Sequence, residues 1–599
     1  MERIWITGSD DLMRIGRLPQ YPPGGRYALA RDITVGEGFS SLPLTCGIEL
    51  DGDGHTIAAL ACPLFASIED AVIRNLTLEM DIPLSGVSGA DTSAGLARNA
   101  SRSLIENCVV KGKISGGADT AGLVGSASEC DIVECVNRAA LHVSGARTGG
   151  IVALANNTNF LRCRNEGIIH CVCGDGARSE ISEIGETGGI GGIAGSICTT
   201  WNQASAVYSL IDCVNEGDIT GGRMVGGIAG FVRGTDKAQA EAVRCVNRGS
   251  IRPCGNITET NNGHLFGGII GQGVSLLAIQ DCLNYGEVKG FCAIGGIAGE
   301  VLNPEWGWAG KSEPKELTLF APFTSDIADS SAEPAALMGN RIERSENMGR
   351  VSQESMSPGM VYGGGGADSP QPAQIGGIVG SILCVGSACH CVNRGDVYAP
   401  GDYCGGIAGM VLTGEIVDCV NYGKITCGCG RVGGIAGCVD RVLDNIIYPL
   451  PRERNKGAVN ACSNKNEVRA GGDAAGGIVG AIRNGSAVTK CVNESPVMSK
   501  GSYVGGIAGY ATCESISCSS ISGNLTTGGK IVGERHVHRI LGGWDCAASA
   551  LLDTNWALPE TLLTGDNTTD SGHIYVDESV SPTDPLLAAD ARHGENVSL

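Results

Sequence analysis

Two short motifs alternate along most of this chain, and their spacing limits what it can fold into more than any other feature. One is Gly-Gly-Ile-Ala-Gly, at residues 191–195, 226–230, 295–299, 405–409, 433–437 and 505–509, with close variants at 121–125, 149–153, 267–271, 376–380 and 476–480. The other is Cys-Val-Asn-x-Gly-x-Ile and its near forms, beginning at Cys213, Cys245, Cys282, Cys391 and Cys419. Weaker copies begin at Cys108, Cys135, Cys163, Cys462, Cys491 and Cys518, with a cysteine-less one at Ser345. Cys213 to Gly226 and Cys282 to Gly295 are steps of 13 residues, Cys391 to Gly405 and Cys419 to Gly433 steps of 14, and the uninterrupted period is 28.

Paired helices do not suit this unit. It carries four or five glycines, each costing a helix about 1 kcal/mol relative to alanine, and no 3.6-residue apolar period runs through it. Short strands do suit it. A polar residue precedes the cysteine (Asp212, Arg244, Asp281, Asp418, Lys490), and Asn-x-Gly reads as a turn because both residues tolerate the left-handed conformation. In Val225-Gly226-Gly227-Ile228 two apolar residues stand three apart, so a corner at the glycine pair is needed to turn both inward. Strands with corners at fixed positions describe one coil of a solenoid. Stacked about 4.8 Å apart, such coils set cysteine on cysteine, asparagine on asparagine and isoleucine on isoleucine. The expected fold is all-β: a right-handed parallel β-helix of about 11 repeats of 28 residues, with interruptions looping outward.

Composition agrees. Glycine numbers 93 and aromatics are only 4%, which suits many thin, similar layers better than one thick core. With 42% hydrophobic and 18% charged residues the chain is not of the disordered class. Its net charge of −21 disfavours nucleic acid and anionic lipid as partners. No apolar run is long enough to span a membrane, and no secretory signal is visible at the start.

The two half-motifs resemble the GLUG-type repeats of bacterial, often gut-associated, surface proteins. The opening Asp51-Gly52-Asp53-Gly54-His55-Thr56-Ile57 is similar to the coil that commonly precedes them. The resemblance covers roughly residues 25–533. It implies a β-helix displayed at the cell surface or secreted, in a family that includes adhesin-like proteins and the non-catalytic region of IgA-cleaving metallopeptidases. This chain has no His-Glu-x-x-His, so the peptidase activity is not implied. Without a visible export signal, a cytoplasmic location is the alternative.

Three regions follow: 1–100 as an N-terminal cap and first coils, 101–533 as the repeat array, and 534–599 as a C-terminal cap and polar tail. The largest interruption spans residues 301–374, and smaller ones fall at 174–187, 256–264 and 440–457. Trp544 and Trp556 are candidates to cover the last coil.

Of the 27 cysteines, 11 occupy the repeat position and read as a column of small buried thiols. Disulfides between coils are the rival reading, although stacked side chains point the same way. Cys171/Cys173 and Cys427/Cys429, with Cys404 and Cys438 near the second pair, lack the ligand spacing of a zinc or iron–sulfur site. Asp51, Asp53 and His55 read as a glycine-rich turn rather than a calcium or acid–base cluster. His536 and His538 fall on one face of a strand, read as an exposed strand of the cap in preference to a metal site. The glycine pairs lack the Lys-Ser/Thr of a phosphate loop.

These readings name no catalytic residue, no metal ligand and no cofactor. The expected function is non-catalytic binding or adhesion, with loops on a rigid scaffold presented to a glycan or protein. Trp306 and Trp308, in the largest interruption, are the candidate binding residues because an indole face stacks on a sugar. An intracellular scaffold is the alternative, and a polysaccharide lyase or hydrolase is the third reading.

Overall fold

The structure, a computed structural model, describes residues 2–83, 92–117, 119–144, 147–171, 188–199, 206–234, 238–254, 264–275, 277–302, 340–354, 372–383, 386–441, 456–512, 519–544, 551–558 and 561–566. It forms two compact units, one of Met1–Ser352 with Met356–Ala367 and one of Gln353–Ser355 with Asp368–Leu599. The divide falls inside the 301–374 interruption.

In each unit the chain winds through short strands that pair in parallel with their counterparts one coil on, as the repeat predicts for a parallel β-helix solenoid. The coil that starts at Cys213 illustrates it. Val214–Asn215 pairs with Val246–Asn247, Ile219–Gly221 with Ile251–Pro253, Arg223–Gly226 with His264–Gly267, Ala229–Arg233 with Ile270–Val274, and Ala238–Val243 with Leu277–Gln280. The stacks begin near the N-terminus, where Ile4–Ile6 pairs with Arg26–Leu29. Next to them Ser9–Arg14 is helical and buries Leu12, followed by the buried Ile15.

Two interior columns repeat one residue type over many coils, whereas the apolar columns beside them vary, as in the buried stack Ile132, Phe160, Leu210, Ala242 and Ile279. Cys135, Cys163, Cys213, Cys245 and Cys282 are all fully buried, and their thiols donate to carbonyl oxygens of their own and the preceding coil, as Cys245 does to Val243 O at 3.6 Å and Leu210 O at 3.3 Å. They are free thiols, so the column is not bridged. Ser345 takes the cysteine's place in its coil, where its Oγ accepts from the Cys282 amide at 3.2 Å. Cys391, Cys419, Cys462 and Cys491 form the corresponding column of the second unit. Beyond Cys491 that position passes to Asn524, whose Oδ1 accepts from the Cys491 amide at 2.9 Å. Cys518 lies outside the described residues.

The asparagines form a second ladder. In the first unit the Nδ2 of Asn137, Asn165, Asn215, Asn247 and Asn284 each donate to the Oδ1 of the next asparagine, ending at Asn347, over 2.7–2.8 Å. Each Nδ2 also reaches a carbonyl two residues on, as Asn247 does to Gly249 O at 2.9 Å. Asn393, Asn421, Asn464 and Asn493 repeat this in the second unit. Both amide protons are thus satisfied in the buried interior, where an unmade bond costs about 1–3 kcal/mol.

The corners differ from the sequence expectation in one respect. The glycine of Asn-x-Gly is not left-handed. It is required by close approach instead: a Cβ on Gly249 would stand 2.0 Å from Gly217 O. The left-handed residue is the polar one before the cysteine, with φ of 54° at Asp212, 52° at Arg244, 54° at Asp281 and 47° at Arg344. A second left-handed corner lies two residues before the glycine pair, as at Met224 (φ 49°), and leaves both Val225 and Ile228 fully buried. Both apolar residues do turn inward.

The strand stacks run past residue 533. Lys530–Arg535 pairs with Val497–Ser499, Val537–His538 with Val504–Gly505, and Leu541–Trp544 with Ala508–Thr512. Leu562–Asp566 pairs with Lys530–Arg535 in turn. Trp544 is buried in this stacking, whereas Trp556 is half-buried.

Candidate binding face

With the interior columns fixed by packing, chemical variety falls on the outward positions. The residue after each ladder asparagine lies on the turn and faces solvent. In the first unit this row reads Arg138, Glu166, Glu216, Arg248, Tyr285, Met348, and in the second Arg394, Tyr422, Lys465, Glu494. Neighbours in the rows interact across coils. Arg138 Nε donates to Glu166 at 2.9 Å, and this contact holds the Glu166 carboxyl below the usual carboxylate range. The Arg248 guanidinium lies 5.7 Å from the Tyr285 ring centre and that of Arg394 4.7 Å from Tyr422, the geometry of a cation–π pair. Ile168, Tyr285, Met348, Tyr422 and Tyr398 are large apolar side chains exposed on or beside these turns.

Four residues further along, a second outward row carries His142, His170, Thr220 and Arg252 in the first unit, in register with the buried Ser115. Its counterpart in the second unit is Tyr398, Thr426, Arg469 and Met498. Beside it Lys424 Nζ and Arg469 Nε both meet Glu467 at 2.8 Å.

A third outward row is the left-handed residue before each cysteine. Arg244 is bidentate to Asp212 at 2.7 and 2.9 Å, and Arg344 to Asp281 at 2.7 and 3.0 Å. These contacts hold Asp212 and Asp281 below the usual carboxylate range.

The residues singled out from sequence fare differently. Trp306, Trp308 and Cys173 lie outside the described residues. Asp51 and His55 do not converge: the Asp51 carboxylate accepts from Arg3 at 2.7 Å and Arg74 at 3.1 Å, while His55 Nδ1 lies 3.1 Å from Asp32. Asp53 and Gly54 form the left-handed turn between them. Cys171 is buried, and burial pushes its thiol up to about 11. Cys427 and Cys429 donate to Gly401 O and Pro400 O at 2.7 and 3.4 Å. Burial pushes the Cys438 thiol up to about 12. Among the described residues no three His, Cys, Asp or Glu side chains stand so as to hold a metal ion.

His536 and His538 are a correction. Neither lies on an exposed strand: both are buried, and the His536 ring stacks on Tyr503 with centroids 4.8 Å apart and planes 8° from parallel. Another coil is stacked here, and His538 takes the register position of Gly505. The outward rows at the turn, with His142 and His170 among them, were not singled out from sequence. The signal was present in the alignment of the repeats, because both histidines stand five residues after a ladder asparagine.

No protein-family model matches the chain, and no curated protein matches it. Among solved structures it resembles a crystal structure described as a candidate immunoglobulin A1 protease from Bacteroides ovatus, at 15% identity and a TM-score of 0.29, over 47% of this chain and 76% of that one. So distant a likeness carries no functional argument. The class rests on the coils themselves: this is a parallel β-helix repeat protein.

Proposed function

We propose that the chain is a non-catalytic binding or adhesion module of the GLUG-repeat kind, displayed at a bacterial cell surface and presenting its outward rows and interruptions to a glycan or protein. One observation carries the reading. The cysteine and asparagine columns of the interior repeat the same residue over consecutive coils, whereas the exposed position beside each asparagine changes from Arg to Glu to Tyr to Met. A rigid frame with a varied outer face suits recognition. Catalysis needs acid and base groups brought together in one groove, and Glu166, Asp212 and Asp281 of these rows are engaged by arginine partners instead. Nucleic acid is no partner on this reading, given the net charge of −21. Among the described residues no helix is long and apolar enough to cross a membrane.

An intracellular scaffold is the second reading, favoured by the free thiols of the columns, which suit a reducing compartment. Against it, Cys254 is disulfide-bonded. Protease shaving of intact native cells, with lysed cells as control, separates the two. Release of fragments from intact cells is the expected result. Protection until lysis contradicts surface display and turns the search to intracellular partners.

A further inference from the structure

His142 and His170 occupy the same outward position in consecutive coils of the first unit. They are direct register partners on parallel strands, and their ring centroids lie 6.0 Å apart with planes at 70°. The row continues with a hydroxyl residue on either side: Ser115 is the register partner of His142, and Thr220 that of His170. Thr220 Oγ1 lies 2.9 Å from His170 Nδ1. That contact engages one ring nitrogen and leaves Nε2 as the coordinating atom, the arrangement by which an outer hydrogen bond orients a histidine ligand. Ser115 is fully buried, and its Oγ has no hydrogen-bond partner among the described residues.

We propose that His142 and His170 form an open two-imidazole site for a divalent transition-metal ion of the zinc, copper or nickel class. Imidazole nitrogen favours these ions over calcium or magnesium. Metal–nitrogen bonds of about 2.1 Å keep two imidazoles on one ion within about 6.5 Å, centroid to centroid, so side-chain rotation alone closes the pair. Both donors come from strands whose spacing the ladders fix, so no backbone ordering accompanies binding. Lys113 lies close enough to His142 to act on it electrostatically. Lys113 opposes a second cation on this face and limits the affinity. With no third His, Cys, Asp or Glu ligand among the described residues, water or a partner's donor atoms fill the remaining positions. The site therefore binds an exchangeable ion, not a structural one.

Calorimetric titration of the untagged, metal-stripped full chain with Ni²⁺ tests this. One Ni²⁺ is expected to bind the wild-type chain, and His142→Gln and His170→Gln are each expected to weaken it by at least about tenfold. His390→Gln, at an exposed histidine of the other unit, is expected to leave it unchanged. All three side chains face outward, and thermal unfolding of each variant verifies that the fold is kept. Wild-type affinity in either His142→Gln or His170→Gln overturns the proposal, as does a wild-type chain that binds no Ni²⁺.

Discussion

Gly227 lies against Asn247 of the following coil so closely that a Cβ on the glycine would come within 2.4 Å of the asparagine Cγ. The same contact recurs between Gly150 and Asn165, Gly192 and Asn215, and Gly268 and Asn284. It explains why the two half-motifs travel together. The second glycine of the Gly-Gly pair leaves the room in which the asparagine ladder runs, and the same room takes Thr526 beside Gly506 where the ladder has ended.

Gly227→Ala is therefore expected to be severely destabilising. The new methyl would meet Gly268 O at 2.1 Å as well as the ladder amide, and neither backbone nor a doubly bonded amide yields cheaply. A loss of about 3 kcal/mol or more is expected in urea unfolding, at the upper end of overpacking. Gly36→Ala, where nothing lies within 4 Å, is the control and is expected to change stability by less than about 0.5 kcal/mol.

The cysteine column needs a small side chain that hydrogen-bonds to carbonyls, not a reactive thiol. Ser345 already serves in one coil. Cys245→Ser is expected to cost less than Cys245→Leu, whose added volume overpacks a closed layer by about 1–3 kcal/mol. Maleimide labelling read by mass spectrometry gives the companion result. The exposed Cys46 should react in the native chain, and Cys135, Cys213 and Cys282, buried and pushed well above the ordinary thiol range by that burial, only after unfolding.

Acid should weaken the fold through the outward ion pairs. Glu166, Asp212 and Asp281 are held below the usual carboxylate range by Arg138, Arg244 and Arg344. Their contribution is complete above the unfolded carboxylate value of about 4 and is lost as pH falls through the lower folded values. The urea midpoint is expected to hold between about pH 5 and 7 and to drop below about pH 4. Arg244→Gln should shrink that drop, because Asp212 then titrates nearer its unfolded value. A midpoint that rises on acidification contradicts this.

Much of this fold was legible because a solenoid repeats its reasons. Cys213, Cys245 and Cys282 could be placed on one another by counting residues, and Val225 and Ile228 could be turned inward from their spacing alone. The corners were harder. Left-handed backbone is ordinarily read from glycine and asparagine, yet here it falls on Asp212, Arg244 and Arg344, and the parallel pairing of every coil holds them there. The region after residue 533 looked like a cap because His538-Arg539 replaces the glycine pair, although Val537 still stacks on Val504. The outward rows were missed because they have no consensus. Their positions can be counted from the asparagine, but their varied chemistry gives no motif to recognise.

The in-register asparagine ladder is the central claim, and a distance in solution tests it most directly. Residues 138 and 348 each follow a ladder asparagine, Asn137 and Asn347, five ladder steps apart. At about 4.8 Å per coil their backbones should lie roughly 24 Å apart. Spin labels carried on non-natural residues at these two sites, read by pulsed electron–electron resonance, are predicted to give one narrow distribution near that value. A broad distribution, or a mean beyond about 40 Å, would contradict stacking at about one strand spacing per repeat.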